Sequence, residues 1–287
     1  MPKRPENMKV VTNPNKLNDG FGENLKLLML SVMYAEFNDC KFVYSPFKQM
    51  EGNYSHDPEF SKKKEILVNF IHNFENVGDE PHHVLETFEL LRFFHLNVEQ
   101  CSKSKSLQVM RLLFRAGKPN PFDDSYKNIA IHIRRMNKDD YNRTGGNTMS
   151  TLPGTDTPNE LYLGLIQQLR ASYSNAKFHI YSQGQSADFN VFNNEYTVLH
   201  INEPLEDTFT QMVLADILVA APSALSYTAA FLSVNTIYYI EFCNLPFPNW
   251  NIVTGYKSSR SKHEFLIPML TPVYYDPYTD QFQVVRC

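Results

Sequence analysis

The chain has 287 residues, 43% of them hydrophobic and 20% charged, and carries a formal net charge of −4. That length and apolar content fill one large core or two compact ones, which excludes a disordered chain. The slight negative charge excludes a broad cationic surface for nucleic acid or anionic lipid, so any phosphate must be met by a few local groups.

Four cysteines, Cys40, Cys101, Cys243 and Cys287, show no C-x-x-C spacing, so neither zinc nor a disulfide framework is indicated and reduced thiols are expected. The polar start Met1-Pro2-Lys3-Arg4-Pro5-Glu6-Asn7 is not followed by the apolar run of a signal peptide, and nothing resembles a transmembrane segment. A cytoplasmic location is therefore the expectation. Asn53-Tyr54-Ser55 and Asn142-Arg143-Thr144 match the glycosylation pattern, which arises often by chance.

In chain order, residues 8–12 predict a short strand, and Asn18-Asp19-Gly20-Phe21-Gly22 punctuates the chain before a helix. In that helix Leu25, Leu28, Met29, Val32, Met33 and Phe37 recur at helical spacing, and residues 40–44 read as the next strand, completing a β-α-β unit. From 58 to 116 the pattern is helical, through Ile66, Phe70 and Phe74, then Val84, Phe88, Leu91 and His95, then Leu107, Met110 and Phe114. Phe93 and Phe94 in this stretch read as core. Lys118-Pro119-Asn120-Pro121 ends it, because proline restricts both itself and the residue before it. This break divides the chain into domains 1–120 and 121–287.

Beyond it strands and helices alternate: strand 128–133, helix 159–173, strands 177–182 and 197–201, helix 206–215, strand 217–220, helix 224–233, strand 236–241. Such alternation predicts an α/β fold whose parallel sheet is covered on both faces. Ligands in these sheets sit beyond the carboxyl ends of the strands. Polar clusters fall there: His132-Ile133-Arg134-Arg135, Ser182-Gln183-Gly184, and Pro222-Ser223.

Alternation along the strand sends His132 and Arg134 to one face and Ile133 to the other. A guanidinium is permanently charged and offers a planar fork of donors, which suits a diphosphate whose charge grows as the bond to a sugar breaks. An Arg pair bridged to Asp139 or Asp140 is the structural alternative. His179, inside a strand, reads as packed or paired. Asp188 is a candidate for orienting ribose or base, or else caps a helix at 189–193.

His132-Ile133-Arg134-Arg135 resembles the His-x-Arg-Arg motif of the α1,2-, α1,6- and O-fucosyltransferase superfamily. Two further segments follow that family's order: Gly20-Phe21-Gly22-Glu23-Asn24-Leu25 before a helix, and the run from Thr208 to Val219 followed by Ala221-Pro222-Ser223-Ala224-Leu225-Ser226-Tyr227. The resemblance covers roughly residues 18–235. It implies a GT-B fold of two Rossmann-like halves facing a cleft, the first on the acceptor side and the second binding a sugar nucleotide. It also implies inverting transfer of a sugar, fucose from GDP-fucose above all, to a glycan hydroxyl. By the same resemblance His132 lies near the base, Arg134 holds the β-phosphate, Gly20 and Gly22 let backbone amides approach the phosphate, and Ser223 offers its hydroxyl or amide at a helix start.

The chain departs from the family where α1,6-fucosyltransferases carry an acidic residue that reads guanine. Thr208 stands there, with Asp207 one position earlier. A hydroxyl suits uracil as well, so a UDP-sugar such as UDP-xylose is an alternative donor. The acceptor's base is expected just past the Arg pair, at Asp139 or Asp140. No Asp-x-Asp pair occurs, so no metal clamp and no cofactor are expected. A non-catalytic nucleotide- or glycan-binding protein of the same fold is the second reading. A nicotinamide-dependent oxidoreductase fails because Leu25 replaces the third glycine of the fingerprint.

Overall fold

The computed structural model describes residues 10–15, 19–48, 50, 57–135, 157–241, 244–253, 273–276 and 281–284. Its N-terminal half runs β1 (Val10–Thr12), α1 (Phe21–Phe37), β2 (Lys41–Val43), α2 (Phe60–Leu67), a 3₁₀ turn (Asn69–Asn73), β3 (His83–Val84), α3 (Thr87–Leu96), α4 (Val98–Ser102) and α5 (Lys105–Arg115). The three strands form a parallel sheet in the order β2-β1-β3.

The C-terminal half runs β4 (Lys127–His132), α6 (Asn159–Ser172), β5 (Ala176–Ser182), a 3₁₀ turn (Ser186–Phe192), β6 (Thr197–Ile201), α7 (Leu205–Leu214), β7 (Ile217–Ala220), α8 (Ala224–Leu232), β8 (Thr236–Ile240) and β9 (Asn251–Val253). These strands pair in parallel in the order β6-β5-β4-β7-β8-β9. Counted within the half, that is 3-2-1-4-5-6, the order of dinucleotide-binding sheets. A separate antiparallel pair, β10 (Val273–Asp276) and β11 (Gln281–Val284), follows.

The predicted α/β class with parallel sheets is therefore present in both halves. One expectation fails. Val84, placed by its spacing in a helix, lies in β3, where Val11 pairs with His83 and Thr12 with Val84, and Leu85 N donates to Thr12 O at 3.1 Å. A two-residue strand is too short to show the alternation that marks a strand in sequence.

Parallel strands covered on both faces read as unbroken apolar runs, and all of Ile217-Leu218-Val219-Ala220 is buried. Ile129, Ile131, Ile133, Phe178 and Ile180 face α6 through Tyr162, Leu165, Ile166 and Leu169. The opposite face sends Ala130, Tyr181, Leu218, Ala220 and Tyr239 into a core shared with α1, α5, α7 and α8. That core continues through Leu25, Leu28 and Met29 into Leu90 and Phe94 of the N-terminal half. The proposed division at residue 120 falls between α5 and β4, while one core runs across it.

Helix α1 lies at the centre of this shared core. It is apolar nearly all round and buried nearly all round, as a helix wrapped by neighbours should be. Its buried polar side chains are satisfied: Ser31 Oγ donates to Leu27 O at 2.8 Å, and Lys26 Nζ meets Glu23 at 2.8 Å and Asn244 Oδ1 of the other half at 3.2 Å.

Candidate functional site

Two helix starts, those of α1 and α8, meet at the carboxyl-terminal edge of the C-terminal sheet, and α7 packs beside them. Helix α1 begins at its cap Gly20, which has no side-chain cap bond, and the first intrahelical bond runs from Asn24 N to Gly20 O at 3.2 Å. The amides of Phe21 and Gly22 precede that bond and are the ordinary outward donors of a helix start. Asn24 Nδ2 braces the entry by donating to Asp19 O at 3.1 Å and Gly20 O at 3.2 Å.

Helix α8 begins at Ser223, whose Oγ accepts from Leu225 N at 3.3 Å. The two helices touch through Gly22, where an added Cβ would stand 2.5 Å from Leu225 N and 2.6 Å from Leu225 Cα. Thr228 Oγ1 of α8 closes the crossing by donating to Gly22 O at 2.8 Å. Helix α7 joins through Phe209, whose ring lies 5.2 Å from that of Phe21 in an edge-on contact. Each helix start carries about half a positive elementary charge, so their meeting favours an anion.

The sheet delivers the motif to the same edge. Ile131 is level with Val219 of the neighbouring β7, so His132 stands beside Ala220, three residues before Ser223. β4 and β7 flank the switch point: successive strands run from β4 to β6 on one side, then from β7 to β9 on the other. Ile133 packs toward α6, as alternation predicts, which leaves His132 on the face carrying α7 and α8. His132 is 6% exposed and its Nδ1 has no hydrogen-bond partner among the described residues. Burial, with help from the Arg134 charge, pushes its pKa down to about 3, so the ring is neutral, a hydrogen-bonding group and not a proton store.

The two arginines have different surroundings. Arg135 Nη1 donates to Thr157 O at 2.8 Å and to Arg134 O at 3.2 Å, and Nη2 meets Asn159 Oδ1 at the start of α6. Arg135 therefore fastens the strand end to α6. Arg134 Nη1 donates to Arg135 O, with the side chain half-buried at the sheet edge.

The remaining candidates spread along that edge. Asp207 is exposed and Thr208 half-buried in the first turn of α7. Asp188 is exposed inside the 3₁₀ turn after β5, not at a helix cap, and belongs to the far side of β4 from Ser223. A Cβ on Gly20 would meet nothing within 4 Å, so space is open in front of it, whereas the close approach at Gly22 is to the backbone of α8. Asp139 and Asp140 lie outside the described residues. Among the described residues no helix is long and apolar enough to cross a membrane.

No family model matches the chain, and neither does any curated protein sequence. Among solved structures it is similar to the E. coli heptosyltransferase WaaC with ADP-2-deoxy-2-fluoro heptose, at 12% identity and TM-score 0.46 over 85% of this chain and 92% of that one. It is also similar to POFUT1 in complex with GDP, at 13% identity and TM-score 0.44 over 88% of this chain and 100% of that one. A third is Thermosulfurimonas dismutans KpsC, a β-Kdo 2,4 transferase, at 11% identity and TM-score 0.35 over 98% and 96%.

Sequence reasoning missed the Gly22–Leu225 crossing, the Phe21–Phe209 contact and the tie between Lys64 of α2 and Glu206 of α7. Each joins residues far apart in the chain, and no local spacing announces them. It also missed the partners of His179, which is paired as expected but with His200 and Asn128.

Proposed function

We propose that this protein is a metal-independent, inverting glycosyltransferase that moves a sugar from a sugar nucleotide to a glycan hydroxyl in the cytoplasm, with GDP-fucose the favoured donor. The observation that supports the reading is the meeting of the α1 and α8 starts beside the buried, unpartnered His132 Nδ1 at the switch point of the sheet. A nucleoside diphosphate has the anion for the helix starts and the polar groups for the imidazole.

In this reading the acceptor oxygen attacks the anomeric carbon as its proton passes to a carboxylate, Asp139 or Asp140. The bond to the diphosphate breaks with its electron pair leaving on the phosphate oxygen. Arg134 and the amides near Gly20 and Ser223 receive that charge, which requires no cation. Displacement from the opposite face inverts the anomeric centre. Asp207 and Thr208 meet the base, with Asp188 toward ribose or base; the exposed Asp207 suits the donor edge of guanine, and the Thr208 hydroxyl keeps a UDP-sugar such as UDP-xylose as the alternative.

The test is transfer from GDP-fucose and UDP-xylose by the wild type and by Arg134→Lys, which keeps the charge and loses the planar fork. We expect a loss of about 2.7 to 4 kcal/mol of transition-state stabilisation, roughly 10²- to 10³-fold in turnover, with unchanged melting and with wild-type rates unaffected by EDTA. Wild-type turnover in Arg134→Lys would refute the phosphate role, and retention of configuration in the product, read by NMR, would refute direct displacement.

A further inference from the structure

The two sheets turn their carboxyl ends toward one junction. Strands β1 and β2 run parallel, so the segments after them leave the same edge of the N-terminal sheet. The helix after β1 is α1, whose start meets that of α8 at the carboxyl-terminal edge of the other sheet. Helix α2 follows β2, and the first turn of α7 follows β6, so both belong to this junction. An ion pair joins them there: Lys64 Nζ of α2 donates to Glu206 Oε1 of α7.

The two partners differ in exposure. The Lys64 side chain is 3% exposed and that of Glu206 35%. The buried ammonium lies 4.3 Å from the centre of the Phe60 ring. Next to it, Glu65 turns to the N-terminal half and accepts from the Tyr44 hydroxyl at 2.7 Å and from Phe47 N at 2.9 Å. Burial, followed by the bond to Glu65, pushes the Tyr44 phenol up, so it stays a neutral donor. Helix α2 is therefore fastened at adjacent residues to two places, the end of β2 through Glu65 and the first turn of α7 through Lys64.

That turn has little else to orient it. Its cap Pro204 supplies no side-chain bond, and Asn202, Glu203 and Pro204 ahead of it are exposed. Leu205 packs against the shared core and Phe209 is buried in it, but apolar packing is non-directional and sets mainly how deep the helix sits. A charge-assisted hydrogen bond from a buried donor also sets where the turn points. Glu206 adjoins Asp207 and Thr208.

We propose that Lys64 is a positioning residue for the nucleotide base: through Glu206 it holds the first turn of α7, and with it Asp207 and Thr208, in the orientation that meets the base. The base assignment rests on the glycosyltransferase reading above. Lys64 acts from the opposite half of the molecule and touches no ligand. The diphosphate subsite, made by the starts of α1 and α8 and by Arg134, does not depend on it. Loss of the tie should therefore weaken the hold on the base and spare the hold on phosphate.

The test measures GDP, UDP and inorganic diphosphate by calorimetry on the full chain, with amide exchange of Thr208, whose N donates to Pro204 O at 3.0 Å. The variants are Lys64→Met and Lys64→Met/Glu206→Gln. Removing the lysine leaves only the partly exposed Glu206 without its partner, and water can reach that carboxylate; removing Glu206 alone would leave a buried ammonium unpaired. The double variant leaves neither charge behind. We expect the better-bound nucleotide to weaken about tenfold in both variants, within the usual range of coupling, with diphosphate affinity unchanged and the Thr208 amide exchanging faster. Equal weakening of diphosphate would mean a general loss of structure and overturn the positioning role. Recovery of nucleotide affinity in the double variant would also overturn it, because the loss would then be repulsion by a bare Glu206. Wild-type nucleotide affinity in Lys64→Met, or unchanged exchange at Thr208, would overturn it as well. Failure of the wild type to bind any of the three ligands would refute the glycosyltransferase reading instead, and the Thr208 exchange would still decide whether Lys64 holds the turn.

Discussion

The two halves of the molecule reach stability by different routes. Among the described residues the C-terminal sheet has six strands and, on its α6 face, a core made of residues of its own half, from Ile129 and Phe178 to Leu169 and Phe192. The N-terminal sheet has, among the described residues, three strands of two or three residues each, and its core is continuous with α7 and α8 of the other half. Small sheets bury too little apolar surface to stand alone. The N-terminal half therefore leans on the C-terminal one, and it does so at the place where the helix starts of the candidate site meet. Fold stability and site geometry share the same contacts there.

The sharpest way to break this contrast is to truncate one aromatic on each side. Phe209 packs against Phe21 at 5.2 Å and Phe114 at 5.7 Å across the junction, whereas Phe178 lies in the core beneath α6. Phe209→Ala and Phe178→Ala should each cost about 3 to 5 kcal/mol. Hydrogen exchange should separate them, with Phe209→Ala exposing the amides of β1 and α1 first and Phe178→Ala those of β4 and β5. Equal protection of β1 in both variants would mean that the N-terminal half has a stability of its own.

A smaller effect should differ in sign between the halves. Gly164 of α6 has nothing within 4 Å of an added Cβ, so Gly164→Ala should stabilise by about 0.5 to 1 kcal/mol through helix propensity. Gly22→Ala gains the same propensity but drives its Cβ into the backbone of α8, where neither partner can rotate away, and should destabilise by about 1 to 3 kcal/mol. Urea melts of both variants decide it; a stabilised Gly22→Ala would show that the crossing is not rigid.

The smallest expected effect concerns how the N-terminal half holds its own helices. Glu36 at the end of α1 accepts from Lys105 N at 3.0 Å and Ser106 N at 2.8 Å, and so caps α5. Burial works to raise its pKa, but the Ser106 and Lys105 bonds and the Lys105 charge outweigh it and hold the carboxyl below the ordinary glutamate value. A lowered folded pKa gives stability that is present above the unfolded pKa and lost as pH falls through the folded one. Glu36→Gln should thus cost about 0.3 kcal/mol at neutral pH, given solvent screening, and nothing in acid. A difference that persists in acid would assign the effect to packing.

Much of the site was legible in the strand ends. Alternation through Ile129-Ala130-Ile131-His132-Ile133 predicted which face His132 takes, because a strand's side chains have period two whatever surrounds it. Ser223 was legible as a helix cap for the same local reason. The partners of His179 were not, since His200 and Asn128 lie twenty-one and fifty-one positions away in sequence. Nor was the role of Gly22: its place near a helix start fits an approach to phosphate, and only packing reveals that the approach is to another helix.

The order of strands and helices, the apolar runs of a doubly covered parallel sheet, and the gathering of His132, Arg134 and Ser223 at strand ends follow from the sequence alone, because backbone periodicity and capping act over a few residues. The tertiary structure alone decided that β3 is a strand, that one core spans both halves, and that the starts of α1 and α8 meet. Each of these depends on surfaces brought together from distant parts of the chain, whose close approach is fixed by packing and not by any local pattern.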